Sequence, residues 1–229
     1  MVAKVKKNSE CEICILAGGL SSRMGCDKAK VRLGRRTLLG HVRHAAKETG
    51  LPVRVVRADI VPRSGPLGGV YTALMKCRAE SVLFLSCDMP LLTPRLMDAI
   101  LRSGRLERCA VFTRVNERSG FPFLIWRDSF ASISRAIGED DLALQSLARR
   151  LKAKHYDPPT VHRWRLANIN TPDELEGIRR VLFARGVGES CVAAEIETAI
   201  YQRKDFCSAT SVSPSHKVAR HARSSPNIV

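Results

Sequence analysis

Aromatic residues make up only 5% of the chain, too few for the stacking platform on which single-stranded nucleic acids are held. No run approaches the roughly 20 apolar residues that a membrane helix requires. The apolar stretch after Lys4, Lys6 and Lys7 covers only Ile13 to Ala17 before it meets two glycines. That is too short for a secretory h-region, and no cleavage site follows, so a cytoplasmic protein with no membrane span is expected. Acidic residues are scarce: 22 Asp and Glu face 38 Lys and Arg, a net charge of +16. From Arg185 onward six basic residues meet four acidic ones, so +14 of that excess precedes the tail. A basic folded part suits small polyanionic substrates, and nucleic-acid binding is not indicated.

Cysteine is plentiful at eight residues, but the frameworks it usually serves are missing. Cys11 and Cys14 form one C-x-x-C with no second pair or histidine at zinc-ribbon spacing. Cys14, Cys77, Cys87 and Cys109 stand in apolar surroundings and are expected to be reduced, mostly buried thiols. No Ser/His/Asp or Cys/His set is recognisable, so no covalent intermediate is indicated. His41 and His44, three apart, are read as solvated bases on a helix.

Strand and helix alternate along what remains. Strands are expected at 12–17, 53–56, 81–86, 109–114 and 122–126. Helices are expected at 37–49, 68–77, from the Thr93-Pro94 start to 101, at 142–151 and after the Thr171 cap with Pro172 in its first turn. The continuous apolar run from Ser81 to Ser86 is that of a strand covered on both faces. This order predicts an α/β fold: a Rossmann-like three-layer sandwich with a mostly parallel sheet. Ligands of such sheets bind beyond the carboxyl ends of strands, where both Gly18-Gly19 and Asp88 fall. Residues 184–229 lack core-forming periodicity and are expected to be a largely disordered tail, with one short helix at 189–200.

The chemistry concentrates in Leu16-Ala17-Gly18-Gly19-Leu20-Ser21-Ser22-Arg23-Met24-Gly25-Cys26-Asp27-Lys28. Gly18 and Gly19 permit a sharp turn and bring bare backbone N–H groups against a ligand. Arg23 and Lys28 add two positive charges suited to a triphosphate. The spacing is neither the Walker loop nor the dinucleotide fingerprint. On residues alone, a phosphate loop and a plain strand-to-helix turn both stand. Asp88 likewise reads either as a Mg²⁺ ligand or as a turn cap before Pro90, and Asp59 either as a nucleotide contact or as a solvated loop carboxylate.

The loop resembles that of the molybdenum cofactor guanylyltransferases, nucleotidyltransferases of the nucleotide-diphospho-sugar transferase fold, whose loop is L-A-G-G followed by R-M-G-x-D-K. Gly65-Pro66-Leu67-Gly68-Gly69 is similar to their G-P-L turn, Cys87-Asp88-Met89-Pro90 to their strand-end D-x-P, and Asn168 to Leu175 to their N-x-N-T-P-E-E-L stretch. The resemblance runs from about residue 12 to 180, which makes 1–183 the expected nucleotidyltransferase domain. It implies that Leu16, Ala17, Gly18 and Gly19 form the backbone cradle of the nucleotide and that Lys28 holds the triphosphate. Arg23 is implied to neutralise the departing pyrophosphate, Asp88 to bind Mg²⁺, and Asp59 to contact the nucleotide. GTP and a molybdopterin-type acceptor are the implied substrates, with a molybdoenzyme or cofactor-carrier protein as a further partner. Relatives that use CTP carry L-A-A-G, so Gly18 favours guanine. Relatives also have an additional strand and helix before the G-P-L turn, so the middle of this chain is shortened. A CTP-dependent or sugar-phosphate nucleotidyltransferase and a non-catalytic nucleotide-binding module are the alternatives.

Overall fold

The computed structural model describes residues 10–18, 27–61, 64–183 and 196. Its first half contains β1 (Cys11–Leu16), a small hairpin of β2 (Arg32–Leu33) and β3 (Arg36–Thr37), α1 (Leu38–Glu48), β4 (Val53–Val56), α2 (Gly65–Met75) and β5 (Ser81–Ser86). The second half contains α3 (Pro94–Glu107), β6 (Val111–Val115), β7 (Arg118–Trp126), α4 (Phe130–Gly138), α5 (Leu144–Arg150), β8 (Lys154–Tyr156) and α6 (Pro172–Phe183). Six strands form one sheet in the order β4-β1-β5-β7-β6-β8. β1 runs parallel to both β4 and β5, β8 runs parallel to β6, and β7 alone is antiparallel to its neighbours.

Alternation along the central strands divides the interior into two cores. Ile13, Ile15, Leu83 and Leu85 face α1 and α3, where Val42, Ala46, Met97 and Ile100 complete one cluster. Cys14, Leu16, Val82 and Phe84 point the other way, onto Leu67, Val70 and Ala73 of α2 and the inner faces of α4 and α5. β1 and β5 therefore bury both faces, which is why residues 13–16 and 82–85 read as unbroken apolar runs. The expected three-layer sandwich is what forms. A third cluster, built on Leu33, Leu38, Trp164, Ile169 and Ile178, fastens the late chain to the hairpin.

Differences from the expected elements have local causes. α2 starts at Gly65, three residues earlier than periodicity suggested, because Pro66 occupies its first turn, where a missing N–H costs nothing. Gly65 itself has φ +51, a left-handed conformation glycine adopts without strain. α3 continues past Leu101 to Glu107 and ends on Arg108 at φ 45. Gly104 lies inside it as a contact residue: a Cβ there would collide with the Leu124 side chain. The β2–β3 hairpin, α4 and β8 were not expected. β4 is the edge of the sheet, and the chain passes from it towards α2 with no further strand among the described residues, in keeping with a shortened middle. The expected tail and the helix at 189–200 lie outside the described residues except for Ile196, which is helical and buried in the third cluster.

Candidate functional site

The chain leaves β1 for β4 on one side and later returns to β5 on the other, so the sheet changes winding direction at β1. At the carboxyl ends of β4, β1 and β5 a cleft of about 880 Å³ opens, the location expected for ligands in such sheets. Its floor is Leu16, Ala17 and Gly18, with Cys87 and Asp88 beyond β5. One wall is Arg57, Ala58 and Asp59 after β4, with Gly65, Pro66 and Gly69 at the start of α2. Asp27 and Lys28 form the other side. Four stretches far apart in sequence thus meet at one place.

Lys28 is the centre of the polar arrangement. Asp27 caps the short turn that carries it, accepting from the Ala29 N–H at 3.0 Å. The Lys28 ammonium donates to Asn170 Oδ1 at 2.6 Å and lies 3.4 Å from Asp88 Oδ2. The other Asp88 oxygen accepts the Ser86 hydroxyl at 2.6 Å. Among the described residues no backbone N–H donates to the Asp88 carboxylate, so it does not serve as a turn cap. Its main chain is fixed instead, the carbonyl accepting from Ile169 N–H at 2.9 Å.

Asn170 is held in turn by α6. Glu174 Oε2 accepts from the backbone N–H groups of Asn170 and Thr171, at 2.6 and 3.2 Å, while the Thr171 hydroxyl accepts from Glu174 N–H at 3.2 Å. This is a capping box, two backbone donors satisfied by a reciprocal pair of side chains. The T-x-x-E spacing that specifies it is readable in the sequence. Its consequence, an asparagine oxygen aimed at a lysine 142 residues earlier, is not.

Two glycines of the cleft answer to close approach. A Cβ on Gly18 would stand 2.8 Å from the Arg57 carbonyl oxygen, so the protein's own backbone demands glycine there before any base is bound. A side chain at Gly18 would point at the β4 loop, so glycine at this position does not by itself select guanine over cytosine. A Cβ on Gly69 would meet the Leu16 methyls at 3.1 Å and Asp59 Oδ1 at 3.3 Å. Asp59 is exposed as a residue, yet partial burial pushes its carboxyl pKa up. Burial raises the Cys87 thiol to about 12, with the neighbouring Asp88 charge adding to it, which leaves Cys87 a protonated filler beneath the site.

The structure therefore brings together Leu16, Ala17, Gly18, Lys28, Asp59 and Asp88. Gly19 and Arg23 lie outside the described residues. Ser86 and Glu174 were not singled out from sequence; Asn170, which the sequence allows either to line the site or to brace the turn before the Thr171 cap, bonds Lys28. His41 is not a solvated base: it is half-buried, with Nε2 2.8 Å from the Leu33 carbonyl oxygen. No helix of the described residues is long and apolar enough to cross a membrane.

A resident metal ion needs several protein ligands, and among the described residues no group of three His, Cys, Asp or Glu side chains could hold one. A single carboxylate ligand fits a different case, Mg²⁺ that completes its octahedron with water and phosphate oxygens. The donor set at Asp88 is of that kind.

Residues 13–157 match the family model described as the MobA-like NTP transferase domain. A molybdenum cofactor guanylyltransferase of Syntrophotalea carbinolica is 31% identical over 195 residues, covering 72% of this chain and 89% of the relative. A probable molybdenum cofactor guanylyltransferase of Flavobacterium johnsoniae is 28% identical, covering 72% and 94%. Among solved structures, molybdopterin-guanine dinucleotide biosynthesis protein A of Archaeoglobus fulgidus superposes with a TM-score of 0.58 at 20% identity, covering 72% of this chain and 95% of that one. A 2-C-methyl-D-erythritol 4-phosphate cytidylyltransferase of Thermus thermophilus superposes at 0.57 with 15% identity, covering 76% and 98%. These two share the fold. With the family model spanning well over half of its length, the chain belongs to the MobA-like NTP transferase family and is a nucleotidyltransferase.

Proposed function

We propose that the protein transfers GMP from GTP to the phosphate of a molybdopterin-type acceptor and releases pyrophosphate. The observation that carries the reading is the meeting of Lys28 and Asp88 in a cleft floored by Leu16, Ala17 and Gly18, with Asn170 holding the lysine. The printed names of the guanylyltransferase relatives support guanine and the acceptor class.

An oxygen of the acceptor phosphate attacks the α-phosphorus of GTP, and the bond from that phosphorus to the oxygen bridging to the β-phosphate breaks. Pyrophosphate leaves with the electron pair, and no protein nucleophile takes part. The floor from Leu16 to Gly18 cradles the nucleoside through backbone groups, which fixes its orientation, and Gly19, next in the sequence, shares that role. Lys28 turns its ammonium from Asp88 and Asn170 to the triphosphate, and Arg23 neutralises the departing pyrophosphate. Asp88 would hold Mg²⁺ through its carboxylate, and the ion would supply further charge neutralisation at the phosphates. Asp59, on the wall opposite Lys28, contacts the nucleotide. The α2 start beside it offers the positive end of a helix dipole. Catalysis on this reading is positioning and electrostatics. The product would pass in the cytoplasm to a molybdoenzyme or carrier protein.

Pyrophosphate release with the molybdopterin acceptor tests the reading, with GTP and CTP compared side by side. Release with GTP that is lost in Asp88→Asn supports it. A preference for CTP identifies the cytidylyl relative of the same fold, and tight GTP binding without release under any acceptor identifies a non-catalytic module.

A further inference from the structure

A second groove, about 550 Å³, lies between the first half of α3 and the segment after β8. Its floor is apolar: Leu96 and Ala99 on α3, with Tyr156 and Pro159 opposite. Its rim is cationic, formed by Arg95, Arg102 and Arg165 together with His162. Arg95 and Arg102 are seven apart and so share one face of a 14-residue helix. Both are exposed, and among the described residues neither makes an ion pair within 4 Å. Asp98, one turn from each, approaches neither to that distance. Arg165 is held over the Trp164 ring at 4.4 Å. The positive end of α3 adds to the same field.

We infer that this groove is a binding site for an organic phosphate: a flat ring system laid on Leu96, Tyr156 and Pro159, with its phosphate monoester between Arg95 and Arg102. The volume lies within the range of small-molecule sites, and an apolar floor with a few convergent charges is their usual composition. Guanidinium groups are suited to phosphate through paired N–H donors. The groove shares no lining residue with the nucleotide cleft, yet the chain joins their rims. Asp88 leads in five residues to Thr93, and Arg165 leads in four to Ile169, which bonds the Asp88 carbonyl. One ligand chemistry fits two sources: the acceptor of the transfer reaction, or a separate phosphorylated ligand.

Flavin mononucleotide is a suitable probe, a fluorescent flat ring with one phosphate monoester, and riboflavin is its phosphate-free control. Saturable quenching by the full chain is expected, with riboflavin at least about tenfold weaker, the scale of one lost charge-assisted contact. Arg95→Ala with Arg102→Ala is expected to weaken the probe by a similar factor or more while circular dichroism stays unchanged, since both positions are exposed on a helix. Excess GTP with Mg²⁺ is expected not to displace it. Absence of quenching, equal binding by riboflavin or by the double variant, or displacement by GTP each overturns the site, whether or not the protein turns over GTP. Competition between the probe and the acceptor in the transfer assay names the acceptor as the occupant. Its absence names a separate ligand, and either result leaves the site standing.

Discussion

If Asp88 holds a divalent cation as proposed, the Lys28 ammonium, 3.4 Å from the same carboxylate, competes with it, so removing the lysine charge should move metal affinity and turnover in opposite directions. The pair is separated by 3.4 Å, with side chains 18% and 14% exposed. Two unit charges at that distance attract by about 1 kcal/mol in water and about 5 kcal/mol at an effective dielectric near 20. Residual solvent access favours the lower part of that range, about 1–2 kcal/mol. Lys28→Met keeps the length of the side chain and deletes the charge, so the carboxylate is released by that amount and the cation is no longer repelled. At about 1.4 kcal/mol per decade, Mn²⁺ should bind the nucleotide-free variant about tenfold more tightly than wild type. With GTP and acceptor present the same variant should lose about 10²–10³ in turnover, the loss typical of one transition-state contact. Electron paramagnetic resonance titration of free Mn²⁺ reads the first quantity and pyrophosphate release the second. Unchanged or weaker Mn²⁺ binding would refute the competition between lysine and metal, and near-wild-type turnover would refute the role of Lys28 altogether.

Asp88→Asn should abolish the gain in Mn²⁺ affinity that Lys28→Met confers and lower turnover by a similar 10²–10³; retained metal binding in the double variant would point to a ligand other than Asp88. Glu174→Ala frees the N–H groups of Asn170 and Thr171, so it should cost about 1 kcal/mol in denaturant melts and reduce turnover with little change in GTP affinity. Full activity would separate α6 from the site. Gly18→Ala forces a methyl against the Arg57 carbonyl at 2.8 Å and should destabilise by about 1–3 kcal/mol and weaken GTP binding, whereas an unaltered melting temperature would show that the β4 loop yields freely. Burial raises Cys14 to about 12, so the native state keeps its proton where the unfolded state has lost it. Cys87, also raised to about 12, and Cys77, raised to about 11, act the same way, so stability should fall above about pH 9 by about 1.4 kcal/mol per pH unit for each such thiol as the unfolded thiols ionise; Cys14→Ala should remove one such share of the slope, and an equal slope would assign alkaline unfolding elsewhere.

The central sheet was legible because β1 and β5 are covered on both faces, and a doubly covered strand has no periodicity to mistake. The same holds for α1, whose inward residues Leu38, Leu39, Val42, Ala45 and Ala46 are the ones buried. β8 is three residues, two of them exposed, and its place is fixed only by pairing with β6, a long-range fact with no local signature. α3 runs past its expected end at Leu101 to Glu107. Only Leu124 and the Cys109 carbonyl pressing on Gly104 explain a glycine inside that helix. At the site, Lys28 and Asp88 could be named because each belongs to a compact motif with a charge at a fixed offset. Ser86, Asn170 and Glu174 could not be given their roles, because what makes them functional is the distance to those two groups.

That difference bears on how the site is held. Lys28 comes from a short turn of three residues, an element with little stability of its own, whereas Asp88 follows β5, a central strand with five of its six residues buried. A rigid acid facing a lysine on a weak turn needs something to fix the lysine, and Asn170 does so at 2.6 Å. Asn170 is fixed by Glu174, and α6 is anchored through Ile178 and Ile169 to Leu33 and Leu38, on the chain that leads directly from Lys28. The cluster therefore closes a ring: the hairpin after Lys28 packs on the helix whose cap positions the lysine's partner. Loosening the apolar end of that ring, as Ile178→Ala should by about 2–5 kcal/mol, is expected to release Lys28 although no atom of Ile178 lies in the cleft. A variant that lost this stability yet kept wild-type turnover in its folded fraction would break the link between the cluster and the site.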